Sequence, residues 1–333
     1  MELAEIKLGA THFLAQNVLE RLPSSPLQIV NGATFDNATS LDKEQGKFRD
    51  SANTFYTLYR IYGSPEIKLE ALTGLVQQLI NLHDFATARH FLERGRSLLH
   101  VLPVNNGNQY RKAFLENKLG WIADYEFGFE EAKSHFLNAE RILNVIPLDG
   151  WTTRERYLAS DNLHWQGREA CQLASVGINK SQNIELAYQK LREAIESDEE
   201  ESVDQVGFGY LWLARTDIIN RTYFAANADL TECENHFQSY IKNHPGRKDL
   251  LAHPSLVRGY LNFRQSNLEE AEANFQQALE IRMGGDYSKG WADALVALAL
   301  VDIRRGNIPS ALGNFMRAVK TNPYSAARVF LGA

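Results

Sequence analysis

The chain has 333 residues, 44% hydrophobic and 23% charged, a balance that supplies a folded core and excludes an intrinsically disordered polymer. Its net charge of −6 at pH 7 does not suit a binder of nucleic-acid backbones, which carries a basic excess. Two cysteines in so long a chain read as reduced thiols, the start MELAEIKLGA lacks the basic region of a signal peptide, and the longest apolar run, Ala294–Val301, falls far short of the ~20 residues of a membrane span. These features predict a cytoplasmic protein with neither nucleic acid nor membrane as partner.

The first predicted element is a helix over about Glu2–Arg21. Leu22–Ser40 follows as a long loop without periodicity, a functional or mobile connection by its length. Phe48, Ser51 and Phe55 then place a hydrophobe, a small residue and a large apolar residue at steps of three and four, but Leu58 fills the last slot, where a small residue is expected. Residues 1–63 are read as a helical cap carrying this degenerate copy, and residues 64–333 as one continuous array.

Ser64-Pro65-Glu66 opens the array with an N-cap and proline at the first helical position. The same slot pattern then recurs in full. It runs Phe85, Ala88, Leu92, Gly95; Phe129, Ala132, Phe136, Ala139; and Ile184, Ala187, Leu191, Ala194. It continues with Leu230, Cys233, Phe237, Tyr240; Leu268, Ala271, Phe275, Ala278; and Ile308, Ala311, Phe315, Ala318. Steps of three, four and three residues put all four side chains on one helix face. The small slots admit a neighbouring helix and the large one fills the groove beside it, so the spacing repeats while the letters do not. The second slots lie 38 to 55 residues apart, a period typical of helical repeats, in which no unit can bury its apolar face alone.

Each copy needs a partner helix before it. Ala113–Phe127, Val257–Gln265 and Ala292–Arg305 are clear examples. Thr152 to Glu155 has the spacing of a capping box, and Pro103, Pro147, Pro245 and Pro323 stop the second helices of their repeats. Leu173–Asn183 and Ile219–Asp229 are longer than a tight turn inside a repeat, which predicts longer helices or a protruding loop there.

Leu119-Gly120, Glu130-Glu131-Ala132, Phe136 and Ala139 together resemble the tetratricopeptide repeat signature. So do Leu298-Ala299, Gly306-Asn307, Ala311, Phe315, Ala318 and Asn322-Pro323. The resemblance covers roughly Ser64 to Pro323. It implies an all-α fold, a right-handed superhelix of about fourteen antiparallel helices, whose first helices line the concave side. Carried over repeat by repeat, that groove holds Gln77 and Asn81; Asn117, Trp121, Asp124 and Tyr125; His164, Arg168 and Gln172; Arg215; Tyr260, Phe263 and Arg264; and Leu300 and Arg304. Aromatic anchors beside arginines suit a protein or peptide segment with acidic groups or a free C-terminus. Chaperone-binding members of the family hold a carboxylate with a lysine–asparagine clamp. Here Trp121, Tyr260 and Leu300 stand where its asparagine is expected, which argues against that role.

Catalytic patterns are missing from the sequence. The lone Gly46-Lys47 has no phosphate loop before it, there is no H-E-x-x-H, and no G-x-G-x-x-G follows a strand. His83 and His90 are separated by a turn, the cysteines lack metal-ligand spacing, and Cys233 fills a packing slot. The acidic run Ile195–Asp204 reads as a solvated loop before the next helix rather than a cation or docking site. The reading is therefore a non-catalytic binding scaffold with no cofactor and no metal. The alternative is the effector- or peptide-sensing domain of a larger regulator, since repeats of this length resemble the sensor regions of bacterial signalling ATPases and transcription activators.

Overall fold

The computed structural model describes residues 27–43, 47–198, 203–283 and 288–322, and among these every regular element is helical. The predicted Glu2–Arg21 helix, Pro323 and residues 199–202 of the acidic run lie outside the described residues. Among the described residues fourteen α-helices follow one another: α1 Phe35–Lys43, α2 Phe48–Ile61, α3 Pro65–Asn81, α4 Phe85–Leu99, α5 Asn106–Tyr125, α6 Phe129–Leu143 and α7 Thr153–Ser175. The series continues with α8 Lys180–Asp198, α9 Val203–Asn220, α10 Tyr223–Asn243, α11 Ala252–Arg264, α12 Leu268–Arg282, α13 Ser288–Arg304 and α14 Ile308–Thr321. The chain groups into two units. Among the described residues, one comprises those within 27–162 together with 244–247, and the other those within 163–243 and 248–322.

Within each unit the helices pack as consecutive pairs, α5 on α6 in the first and α9 on α10, α11 on α12 and α13 on α14 in the second. The slot pattern explains the pairing. Ala88, Ala132, Ala187, Cys233, Ala271 and Ala311 are all buried, as are the large residues Leu92, Phe136, Leu191, Phe237 and Phe275. Facing the large residue, the preceding helix repeatedly carries glycine. A β-carbon at Gly120 would stand 2.5 Å from Phe136, at Gly167 2.6 Å from Leu191, at Gly207 2.6 Å from Phe237 and at Gly259 2.3 Å from Phe275. The close helix approach therefore depends on a missing side chain on one helix and a bulky one on the next.

The turn inside each repeat closes in one way. His83, Phe127, Gly177, Arg221, Ser266 and Gly306 have positive φ. The residue after each donates its backbone N–H to a carbonyl five residues earlier, as Asp84 does to Leu79 and Asn307 to Asp302. This is the Schellman closure, in which a left-handed residue satisfies the open carbonyls of a helix end. The two central repeats use the same closure. Their extra residues lengthen the helices, with 23 residues in α7 and 21 in α10 against 13 in α11 and 15 in α12. No loop protrudes at either predicted long connection.

The N-terminal segment departs from expectation. The second half of the predicted Leu22–Ser40 loop is helical, because Thr34 Oγ1 accepts the Asn37 N–H and Phe35 packs edge-on against Phe55. Ser51, a small slot of α2, donates its hydroxyl to the Ala38 carbonyl and fastens α1 to α2. The stretch before α1 is pinned too: the Gln28 and Val30 amides donate to Asn53 Oδ1 and Thr57 Oγ1. Capping is mixed. Thr152 and Glu155 form the expected box, with the Thr152 amide donating to the Glu155 carboxylate, whereas the Ser64 hydroxyl bonds the Glu66 carboxylate and leaves the α3 backbone uncapped.

Candidate functional site

In the second unit, one face each of α7, α9 and α11 lines a half-open groove, whose space is about 450 Å³ when the part open to solvent is counted. Cys171, Gln172 and Ser175 come from α7, Trp212, Arg215, Ile218 and Ile219 from α9, and Val257, Tyr260 and Arg264 from α11. All three are first helices of their repeats. Cys171 and Ser175, then Trp212, Arg215 and Ile219, then Val257, Tyr260 and Arg264 step by three or four, with Gln172 and Ile218 beside them, so a single stripe per helix faces the space.

The walls are mostly apolar and the polar groups few. Arg215 lies 4.6 Å above the Trp212 ring, held by stacking. Its charge opposes the rise in pKa that burial gives the Cys171 thiol and the Tyr260 phenol, which places it between α7 and α11. Tyr260 is raised mainly by desolvation, with Asp293 adding to it, and packs edge-on against Phe275. Cys171 is buried and its thiol is raised by desolvation, so it stays protonated and lines the wall.

Of the residues predicted to share a surface here, Gln172, Arg215, Tyr260 and Arg264 come together in this groove. His164 and Arg168 do not line it. Both are buried: the His164 ring packs where a Gly209 β-carbon would stand, and Arg168 lies 4.0 Å over Trp165 and 5.0 Å from Trp212. Arg304 is exposed and covers Phe263 at 5.2 Å, while Leu300 packs against the core around Tyr260. The sequence reading missed Cys171, Ser175, Trp212, Ile218, Ile219 and Val257. The three-and-four stepping traced on the second helices would have found most of them, since 212, 215 and 219, and 257, 260 and 264, repeat it.

The first unit holds the other predicted residues. Gln77 and Asn81 are half-buried and hydrogen-bond to each other at 3.2 Å. Asn117 and Asp124 are fully buried; Asn117 Nδ2 donates to Asn162 Oδ1 at 3.3 Å, and Asn162 donates to the Phe136 carbonyl at 3.0 Å. Tyr125 is stacked on Phe85 at 5.4 Å. Trp121 is half-buried beneath the Lys118 ammonium, which sits 3.4 Å from its ring. These six serve packing and local polar networks more than an open surface.

No group of three or more His, Cys, Asp or Glu side chains among the described residues is placed to hold a metal, and no described helix is long and apolar enough to cross a membrane. No protein-family model matches the sequence, and no curated protein matches it either. Solved structures do resemble it. A Rap protein complexed with competence and sporulation factor aligns with TM-score 0.61 at 13% identity, covering 99% of this chain and 80% of that one. NprR in complex with its cognate peptide NprX aligns with TM-score 0.57 at 13% identity, covering 89% of this chain and 78% of that one. At this identity the likeness concerns the fold: the chain has the tetratricopeptide-like helical-repeat architecture.

Proposed function

We propose that this chain is a non-catalytic scaffold that holds a protein or peptide segment in the groove between α7, α9 and α11. The observation that carries the reading is the groove itself: three successive first helices present Trp212, Ile218, Ile219 and Val257 as apolar wall with Arg215, Gln172 and Arg264 at intervals. Stacked aromatic and arginine groups of this kind anchor extended segments. The two similar structures, each solved with a peptide or factor bound, support the same reading. A segment with acidic groups or a free C-terminus matches the arginines. Residues 1–63 act as the cap and 64–333 as the repeat array. The effector-sensing domain of a larger regulator would use the same groove.

The test is site-directed photocrosslinking with a synthetic heptapeptide pool. A photoreactive residue at Ile219 should capture peptide, and the same residue at Phe224, which is 93% exposed on α10, should not. Equal capture at both positions, or none at 219 with helical circular dichroism intact, refutes the groove as the binding site.

A further inference from the structure

Two arginines and one amide N–H of the groove lining have no acceptor among the described residues: those of Arg215, Arg264 and Gln172. Arg89, Arg96, Arg111, Arg154, Arg258 and Arg305 each pair with a carboxylate. Arg215 and Arg264 pair with no described carboxylate, although Arg215 is half-buried. Asp293, the acid that acts on Tyr260, pairs with neither. Gln172 Nε2, on the same wall, is buried without a hydrogen-bond partner. Arg264 is exposed at the edge, but the half-buried Arg215 and the buried Gln172 Nε2 are unpaired donors that cost stability, so a site that retains them suits an acceptor from outside.

The layout narrows the acceptor. The donors adjoin the slot of Ile218, Ile219 and Val257. In a C-terminal residue the carboxylate and the side chain branch from one carbon, so one residue reaches both. An internal Asp or Glu brings two flanking peptide groups that this apolar wall cannot satisfy.

We infer that the groove captures the free C-terminus of a peptide, with the carboxylate on the Arg215 fork and Gln172 Nε2, Arg264 as the outer cation, and an aliphatic or aromatic last side chain against Ile218, Ile219 and Val257. The inference rests on the groove being a peptide site, and its test separates the two.

Affinity selection with the full chain uses three heptapeptide pools ending in Leu, Ile, Val or Phe: free acids, C-terminal amides, and amides with Glu in the sixth position. The free acids should be retained and both amide pools lost. Arg215→Gln should weaken the retained peptides about tenfold or more, with Arg215→Lys falling between, because a lysine keeps the charge without the planar fork. Acids and amides binding alike, or Glu amides matching the acids, would each overturn the C-terminal assignment. If peptides bind without regard to their end group and Ser175→Trp, which fills the groove, abolishes binding, the groove survives and only this inference falls. If no pool binds, or Ser175→Trp changes nothing while the fold is kept, both fall.

Discussion

Gly259 on α11 lies so near Phe275 on α12 that a β-carbon at position 259 would stand 2.3 Å from the ring. Phe275 is fully buried and cannot swing away without opening the core around Ala271 and Ala278. Gly259→Ala gains about 1 kcal/mol of helix propensity and loses more to overpacking. The expected net loss is about 1–2 kcal/mol, read as a lowered urea midpoint with unchanged slope. Phe275→Leu made in the Gly259→Ala background should recover part of that loss, a non-additivity that a contact-free pair would not show.

The turn before α12 offers the opposite change. Ser266 holds φ of 68° and is exposed. A left-handed conformation costs a non-glycine residue about 1–2 kcal/mol, while glycine adds about 0.4–1 kcal/mol of unfolded-state entropy. Gly306 already fills the equivalent position of the last repeat. Ser266→Gly should therefore stabilise the chain by about 0.5 kcal/mol, seen as a Tm higher by about 1–2 °C. An unchanged or lower Tm would mean that the Schellman geometry at 266 is not the one described.

The slots that were legible in the sequence are those whose demands are purely geometric. Ala132, Ala271 and Cys233 had to be small at fixed steps, and each is buried where the spacing placed it. Only a missing side chain marks Gly167, Gly207 and Gly259, and the distance from each to its large partner varies with helix length, so the glycine rule stayed hidden in the central repeats. The α1 helix was hidden for another reason: nine residues held by Ser51 and Phe55 from another helix carry too few apolar positions to show a period. In the groove, Arg215 and Arg264 announced themselves by type. His164 and Arg168 looked alike in sequence and are buried, because helix position alone does not say which polar residue a neighbouring helix covers.

A carboxyl pair gives a pH dependence. Burial raises the Asp229 pKa to about 7, and its hydrogen bond to Asp217 adds to the rise, while Arg192 opposes it. Asp217 accepts the Tyr188 and Thr222 hydroxyls at 2.5 Å each, and Asp229 carries the proton of the hydrogen bond between the two carboxyls. The unfolded Asp229 titrates near its ordinary value of about 3.9, below the folded value, so the folded state holds an extra proton between about pH 4 and 7. Stability from this group is full below that window and falls as pH rises through it. Asp229→Asn should flatten the decline in Tm between pH 5 and 8 and raise Tm at pH 8. An identical pH profile in wild type and variant would refute the shared proton.

Lys118 and Asp161 make the buried counterpart in the first unit. Their charged groups lie 3.4 Å apart, with side-chain exposures of 4% and 5%, and the ammonium also rests on Trp121 and Phe114. Desolvation pulls the lysine pKa down and Asp161 pushes it back up, so the ion is held in place by its partner and the two rings against the cost of burial. Lys118→Met keeps most of the packing volume and removes the charge, leaving Asp161 without that compensation. Asp161→Asn does the reverse. In a double-mutant cycle the pair should show a coupling of about 1–3 kcal/mol. The double variant should be more stable than either single one, because two uncharged groups no longer need each other. Additive losses in urea unfolding would mean that Trp121 and Phe114, rather than Asp161, carry the lysine. Trp121→Leu would then be the costlier change, since it removes the ring while leaving the carboxylate.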